Sequence, residues 1–96
     1  MQPTIANLEI SANLWTSRNG NTYHRVYITV DGRSHEQLVS EPTYGGGCQY
    51  LETAGAMLQA AGVSRGTRAR DLVVSLRGEG TSVSEGYQRV RRKRDM

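Results

Sequence analysis

The chain has 96 residues, of which 36% are hydrophobic and 22% charged, which fits one folded domain with a modest core and is too apolar for an intrinsically disordered chain. Its net charge of +3 is concentrated in residues 65–96, which carry nine basic and four acidic side chains, so nucleic acid or an acidic protein surface is the expected kind of partner. The apolar runs are too short to span a membrane, so we expect no membrane partner. The first residues do not have the pattern of a secretory signal, and a single cysteine excludes an internal disulfide, so we expect a cytoplasmic protein.

The first 30 residues predict two antiparallel strands. Residues 8–14 alternate apolar and polar side chains, which is the pattern of a strand with one buried face. Asn19-Gly20 predicts a tight turn, because both residues tolerate a positive φ, and residues 23–30 then return as the second strand. We expect the even-numbered residues of the second strand to face the core: His24, Val26, Ile28 and Val30.

The middle of the chain completes a meander and adds a helix. Asp31-Gly32 predicts another tight turn, followed by a third strand over residues 34–40. Residues 48–61 carry apolar side chains at spacings of three and four, which predicts a helix with one apolar stripe. Gly55 lies inside this helix, where glycine is unfavourable, and close packing on the sheet is the expected reason.

The last third predicts one or two further strands and a basic tail. Residues 71–77 are interpreted as a strand and residues 87–91 as a candidate for another. The predicted fold class is therefore α+β, an antiparallel β-meander with one packed helix, in the order β-β-β-α-β-β. Residues 1–88 are expected to form a single domain, and residues 89–96 a flexible basic tail.

The run Tyr44-Gly45-Gly46-Gly47, with Tyr50 shortly after it, is the segment most suggestive of binding. Its glycines leave backbone N–H groups uncovered beside two rings at a predicted helix start. One interpretation is a recognition loop that takes an anionic group while Tyr44 stacks on a base or fills a pocket of a partner. The alternative is that the glycines only allow a tight turn and both tyrosines pack into the core.

Two further features suggest a contact surface. The outward face of the second strand combines tyrosine with arginine, as protein-binding hot spots and base-stacking sheets do, although an ordinary solvent-exposed face has the same composition. The C-terminal cations suit contacts with phosphates or carboxylates, or simply a solubilising end. The predicted partner-binding residues are therefore Tyr23, Arg25, Tyr27, Tyr44, Gly46, Arg89, Arg91, Arg92, Lys93 and Arg94.

No catalytic, cofactor or metal site is predicted. Cys48, near the predicted helix start, would need a base and an orienting group to act as a nucleophile. His24 is expected in the core and His35 near the surface, so neither supplies that base, and the spacing of these residues does not match a zinc signature. We expect a small buried thiol at Cys48, a protein that is not an enzyme, and no small-molecule substrate.

Residues 20–61 resemble a group of small bacteriophage and prophage proteins. In that group a Thr-Tyr-His segment, here residues 22–24, precedes a Tyr-Gly-x-Gly-x-x-Tyr segment that opens a helix, here residues 44–50. Gly46 stands where an aromatic residue is usual in the group. The group has no established activity, so the resemblance implies an origin in a phage or another mobile element. Small phage accessory proteins often occupy a surface of a host machine, as inhibitors of CRISPR effectors do.

The sequence therefore predicts a non-enzymatic protein that binds a macromolecule, with inhibition of a host defence complex as the favoured role. The alternative is a small basic protein that binds nucleic acid with the same cations and with tyrosine stacking. A thiol enzyme centred on Cys48 is a distant third. A homodimer formed through a free sheet edge is left open by the sequence.

Overall fold

The computed structural model describes residues 5–33, 37–63 and 68–96. It is a mixed α+β fold, as predicted, with a five-stranded sheet and two helices. In chain order the elements are β1 (Asn7–Thr16), β2 (Thr22–Val30), β3 (Leu38–Val39), β4 (Thr43–Tyr44), α1 (Gln49–Ala60), α2 (Ala69–Gly78), β5 (Ser82–Arg89) and a 3-10 turn (Lys93–Asp95).

The sheet is a meander extended by one parallel strand. β1 pairs antiparallel with β2, and β3 pairs antiparallel with the other edge of β2, which confirms the predicted meander. The short strand β4 also pairs with β2. β5 pairs in parallel with the free side of β1, so β1 lies in the interior of the sheet. A parallel neighbour requires a long crossover connection, and α1 and α2 both belong to it.

The two helices cover one face of the sheet. The even-numbered side chains over residues 8–14 and 24–28 are buried beneath them, as the alternation predicted, and Val30 is half-buried. We call the opposite face, which carries the odd-numbered side chains of β1 and β2, the outer face.

Neither α1 nor α2 has the length and apolar character needed to cross a membrane. Among the described residues, the core contains Ile5, Leu8, Ile10, Ala12, Leu14, Val26, Ile28, Tyr50, Ala54, Leu58, Val63, Leu72, Val73 and Leu76.

The prediction of a strand over residues 71–77 is wrong, because these residues form most of α2. The short apolar run fits both the two-residue period of a strand and the roughly 3.6-residue period of a helix, and packing decides between the two. A strand would bury Val74 together with its alternate neighbours, but the helix buries Leu72, Val73 and Leu76 and leaves Val74 68% exposed. Asp71 in the first turn also favours the helix through the helix dipole.

Two strand boundaries differ from the prediction. The last strand begins at Ser82 rather than residue 87, because its pairing with β1 does not require apolar side chains on either face. The third strand is reduced to Leu38–Val39, and residues 34–36 of the predicted strand lie outside the described residues.

Gly55 allows the two helices to pack closely. A Cβ atom on Gly55 would overlap the main-chain carbonyl oxygen of Ala69, the first residue of α2. The expectation that Gly55 packs on the sheet is therefore wrong, since its neighbour is a second helix that the sequence pattern did not indicate. The close contact sets the distance at which α2 lies on α1.

Gly55→Ala should destabilise the protein, because the added methyl group can be accommodated only if backbone moves. We expect a loss of about 1–3 kcal/mol in the free energy of unfolding, measured by urea denaturation. Gly78→Ala is the matched control: this residue ends α2, and its Cβ would meet no atom within 4 Å. The control should be neutral or slightly stabilising. Equal stability of the Gly55 variant and the wild type would contradict the close helix contact.

Candidate binding surface

Three aromatic side chains form a cluster at one end of the outer face. Trp15 in β1 lies opposite Tyr23 in β2, and their rings stack with centroids 5.9 Å apart. Tyr44 in β4 lies opposite Tyr23 on the other side, and these two rings meet edge to face at 5.5 Å. Cross-strand pairing thus brings together residues from three strands. We call these three residues the aromatic cluster, and Tyr44, at 64% exposure, is its most accessible ring.

The C-terminal residues lie against the same face. Val90 donates its N–H to the carbonyl of Leu14 at 2.7 Å, which extends the pairing of β5 by one residue. Further along, the Tyr27 hydroxyl and the Asn13 side-chain amide both donate to the main-chain oxygen of Met96. The Met96 side chain is only 4% exposed. Residues 90–96 therefore cross the outer face, and their flexibility stays a prediction.

A groove of about 350 Å³ connects the aromatic cluster to this C-terminal segment. Trp15 and Tyr23 of the aromatic cluster line it together with Lys93 and Met96 of the C-terminal segment. Asn19 and Asn21 from the β1–β2 turn and Pro42 complete the lining together with Ser17. The sequence neighbours of Lys93 are exposed: Arg91, Arg92 and Arg94. We call the aromatic cluster together with residues 91–94 the aromatic-basic surface.

Two of the predicted contact residues have partners within the outer face. The Arg25 Nε donates to the carbonyl of Ser40 at 3.1 Å, which ties β2 to the segment that follows β3. Tyr27 holds the main chain of Met96. Both side chains are half-buried. Arg25 and Tyr27 therefore stabilise the aromatic-basic surface from below, whereas Tyr44 and the cations are the exposed groups that a partner can contact.

Arg89 and Gly46 lie apart from the rings. Arg89 is opposite Leu14 in the parallel ladder, so its side chain is on the helix side of the sheet. Gly46 is half-buried, and a Cβ there would be in ordinary contact with the side chain of Thr22. The structure therefore brings together Tyr23, Tyr44 and Lys93, leaves Arg91, Arg92 and Arg94 exposed in the same segment as Lys93, and places Arg89 outside this group.

The two tyrosines that flank the glycines have different environments. Tyr44 is on the outer face, whereas Tyr50 is 4% exposed and packs in the core, with its ring 5.7 Å from that of Tyr87. Burial, with a smaller contribution from the nearby Glu85 carboxylate, raises the pKa of Tyr50 above its usual value. Each of the two sequence interpretations thus applies to one ring: the exposed Tyr44 is available for recognition, and Tyr50 is a core residue.

His24 holds the glycine loop in place. It is buried, as predicted, and its Nδ1 donates to the carbonyl of Gly45 at 2.9 Å, since a carbonyl oxygen can only accept. Its Nε2 is 2.6 Å from the Thr53 hydroxyl of α1. Gly45 and Gly47 both have a positive φ, at 142° and 59°. The loop conformation therefore favours glycine at both positions, most strongly at Gly45, and His24 links the loop to the sheet and to the helix.

The described residues provide no catalytic arrangement around Cys48. Its side chain is exposed at the start of α1, so the expectation of a buried thiol is wrong. Both ring nitrogens of His24 are already hydrogen-bonded to other groups, and His35 lies outside the described residues. Within residues 5–33, 37–63 and 68–96, no three His, Cys, Asp or Glu side chains are grouped to hold a metal ion.

Trp15 and Met96 were not singled out from the sequence, although both line the groove. The alternation in β1 carried a signal for Trp15, because an odd-numbered residue must point away from the core. The observed turn spans residues 17–21 and sets Trp15 opposite Tyr23, whereas a two-residue turn at Asn19-Gly20 would have set it opposite His24. Nothing in the sequence pattern indicated that Met96 folds back onto the sheet.

No protein-family model matches the chain, and neither a curated protein nor a solved structure matches it. Function is therefore inferred from the chemistry of the chain's own surfaces. The resemblance to small phage proteins stays a prediction.

His24→Phe should destabilise the fold while keeping a ring of similar volume. The Gly45 carbonyl and the Thr53 hydroxyl would both lose their partner, and we expect a loss of about 1–3 kcal/mol in the free energy of unfolding. Thr53→Val removes only one of these hydrogen bonds and should cost about 0.5–1.5 kcal/mol. Urea denaturation of the three proteins provides the measurement. A phenylalanine variant as stable as the wild type would show that His24 does not anchor the loop.

Proposed function

We propose that the protein acts without catalysis, by binding a macromolecular partner through the aromatic-basic surface. The observation that carries this proposal is the aromatic cluster, in which the exposed ring of Tyr44 packs on Tyr23, together with the groove that connects Tyr23 and Trp15 to Lys93. Tryptophan, tyrosine and arginine contribute most of the binding energy in protein interfaces. Here the strand register positions the rings in advance, so little conformational entropy is lost when a partner binds.

An acidic protein surface is the partner that we favour. Sheets that bind RNA stack bases on rings that lie open in the middle of the sheet. In this protein the middle of the outer face is occupied at Tyr27 by the C-terminal segment. The surface also mixes charges, because Asp95 follows the cations and the exposed Glu41 precedes Pro42 of the groove. Mixed charge suits a patterned protein surface better than a uniform phosphate backbone.

The proposed role is to occupy a surface of a host defence complex and thereby inhibit it, in the cytoplasm of a bacterial host. This role follows from the resemblance to small phage proteins and from what phage accessory proteins do as a class. The aromatic-basic surface provides the contact that such an inhibitor needs.

Nucleic-acid binding is the second candidate, and one observation favours it. Residues 91–94 are four consecutive cations beside a groove lined by two aromatic rings, a combination that holds a phosphate and stacks a base. Each phosphate contact on duplex DNA would steepen the salt dependence of affinity, with a slope of about −0.9 per contact.

Affinity capture from a bacterial lysate separates these candidates when it is combined with matched variants. The tagged wild type, Tyr44→Ala and Val74→Ala are each incubated with nuclease-treated and untreated lysate, and retained protein and nucleic acid are measured. Val74 is the control, because it is equally exposed, at 68%, but lies on α2 at the other side of the sheet. Circular dichroism melts confirm that each variant is folded.

We expect a discrete host protein complex that survives nuclease treatment, is retained by Val74→Ala, and is bound about tenfold or more weakly by Tyr44→Ala. Equal retention by all three proteins would contradict the proposed surface. Retained material that consists of nucleic acid, disappears with nuclease and shows a steep salt dependence would favour the second candidate.

A further inference from the structure

β5 is a long edge strand with an uncovered side. It has eight residues and pairs with β1, and none of the described strands lies beyond it. All of its residues except the half-buried Val83 are exposed. By contrast, β3 and β4 at the other side of the sheet have two residues each. An exposed edge of this length offers a row of backbone donors and acceptors to another strand.

The hydrogen bonds to β1 determine which residues of β5 serve this edge. Ser82 and Val90 donate their N–H groups to Ala6 and Leu14, at the two ends of the ladder. In a parallel pair each residue directs both its N–H and its C=O to the same side, and successive residues alternate. The even-numbered residues therefore bond to β1. The open edge is formed by the backbone groups of the odd-numbered residues: Val83, Glu85, Tyr87 and Arg89.

This alternation restricts how a second copy can pair with β5. Two identical strands pair antiparallel about a two-fold axis, and odd-numbered residues must face odd-numbered residues to form the hydrogen bonds. If the two-fold axis passes beside Glu85, the Glu85 carboxylates of the two copies lie opposite each other. If it passes beside Gly86, Glu85 of each copy lies opposite Tyr87 of the other and gains no counter-charge across the axis. An axis at Tyr87 sets Glu85 of each copy opposite Arg89 of the other, so both charges find a counter-charge.

The surroundings of these side chains also favour the axis at Tyr87. Glu85, Tyr87 and Arg89 share the helix side of β5, because they lie opposite inward-facing residues of β1. The Arg77 guanidinium is 3.2 Å from the Glu85 carboxylate, so a second cation from another copy would complete a network. The ring of Tyr87 is 50% exposed beside Tyr50, and its symmetry mate would cover it.

We propose that two copies of this chain pair through β5, antiparallel and centred on Tyr87, to form one continuous sheet. The two-fold axis is then perpendicular to the sheet, so the outer faces of both copies lie on the same side. The dimer presents two aromatic-basic surfaces in one direction. A partner with repeated or two-fold symmetric sites would be bound with higher avidity than a single surface provides. The pairing itself does not depend on the proposed function.

Charge reversal tests the register. Light scattering after size-exclusion chromatography should give the wild type twice its chain mass of 10.6 kDa. Arg89→Glu sets like charges opposite each other twice and should raise the dissociation constant of the dimer roughly tenfold or more. The triple variant Glu85→Arg, Arg89→Glu and Arg77→Glu exchanges the pairs, keeps a counter-charge beside residue 85 within each chain, and should restore the dimer. A wild type that is monomeric at about 100 µM, or a triple variant that dimerises no better than Arg89→Glu, would overturn the proposal.

A disulfide test remains decisive if a charge variant fails to fold. In a Cys48→Ser background, Tyr87→Cys places two thiols opposite each other at the axis, within the Cα separation that a disulfide spans. Glu85→Cys is the matched control, because with the axis at Tyr87 the two cysteines at position 85 lie four residues apart along the paired strands. We expect mild oxidation to link the Tyr87 variant and not the Glu85 variant. The reverse result, or no link in either, would contradict this pairing.

Discussion

The alternation of side chains along β1 is the constraint on which the rest of the structure depends. β1 is paired on both sides, with β2 and with β5, so its register cannot slip without breaking two ladders. Its even-numbered side chains lie under α1 and α2, and this burial fixes the odd-numbered ones, including Asn13 and Trp15, on the outer face. The place of the binding surface is therefore a consequence of how the core packs.

The outer face gains its particular chemistry from segments that are distant in the sequence. The β1–β2 register sets Trp15 against Tyr23, and β4 adds Tyr44 from the other side. The glycine loop that follows β4 is held by His24 from the core side, which connects the position of Tyr44 to the stability of the fold. The C-terminal segment then crosses the outer face at Tyr27 and brings Lys93 to the groove that Trp15 and Tyr23 line.

The sequence predicted those elements whose local pattern and final packing agree. The alternation in the first two strands, a hairpin turn that contains Asn19-Gly20 and the helix after the glycines are local signals, and the structure confirms them, although only Gly20 of the turn pair has a positive φ. The apolar run at residues 72–74 is too short to distinguish a strand from a helix, and only the burial of Leu72, Val73 and Leu76 in the folded protein decides. The parallel pairing of β5 and the return of Met96 to the sheet depend on long-range contacts, which no local pattern encodes. The predicted site omitted Met96 for the same reason, because its place at the groove depends on such a long-range contact.

The central claim is that a partner contacts the aromatic cluster, and Trp15 allows a direct test because it is the one tryptophan in the chain. Protein labelled with 5-fluorotryptophan gives a single fluorine resonance that no partner can obscure. Its chemical shift is measured alone and in complex with the material that the chain captures from a lysate. A changed chemical shift in the complex is the result that we predict. A complex in which this resonance keeps its position would place the contact elsewhere on the molecule.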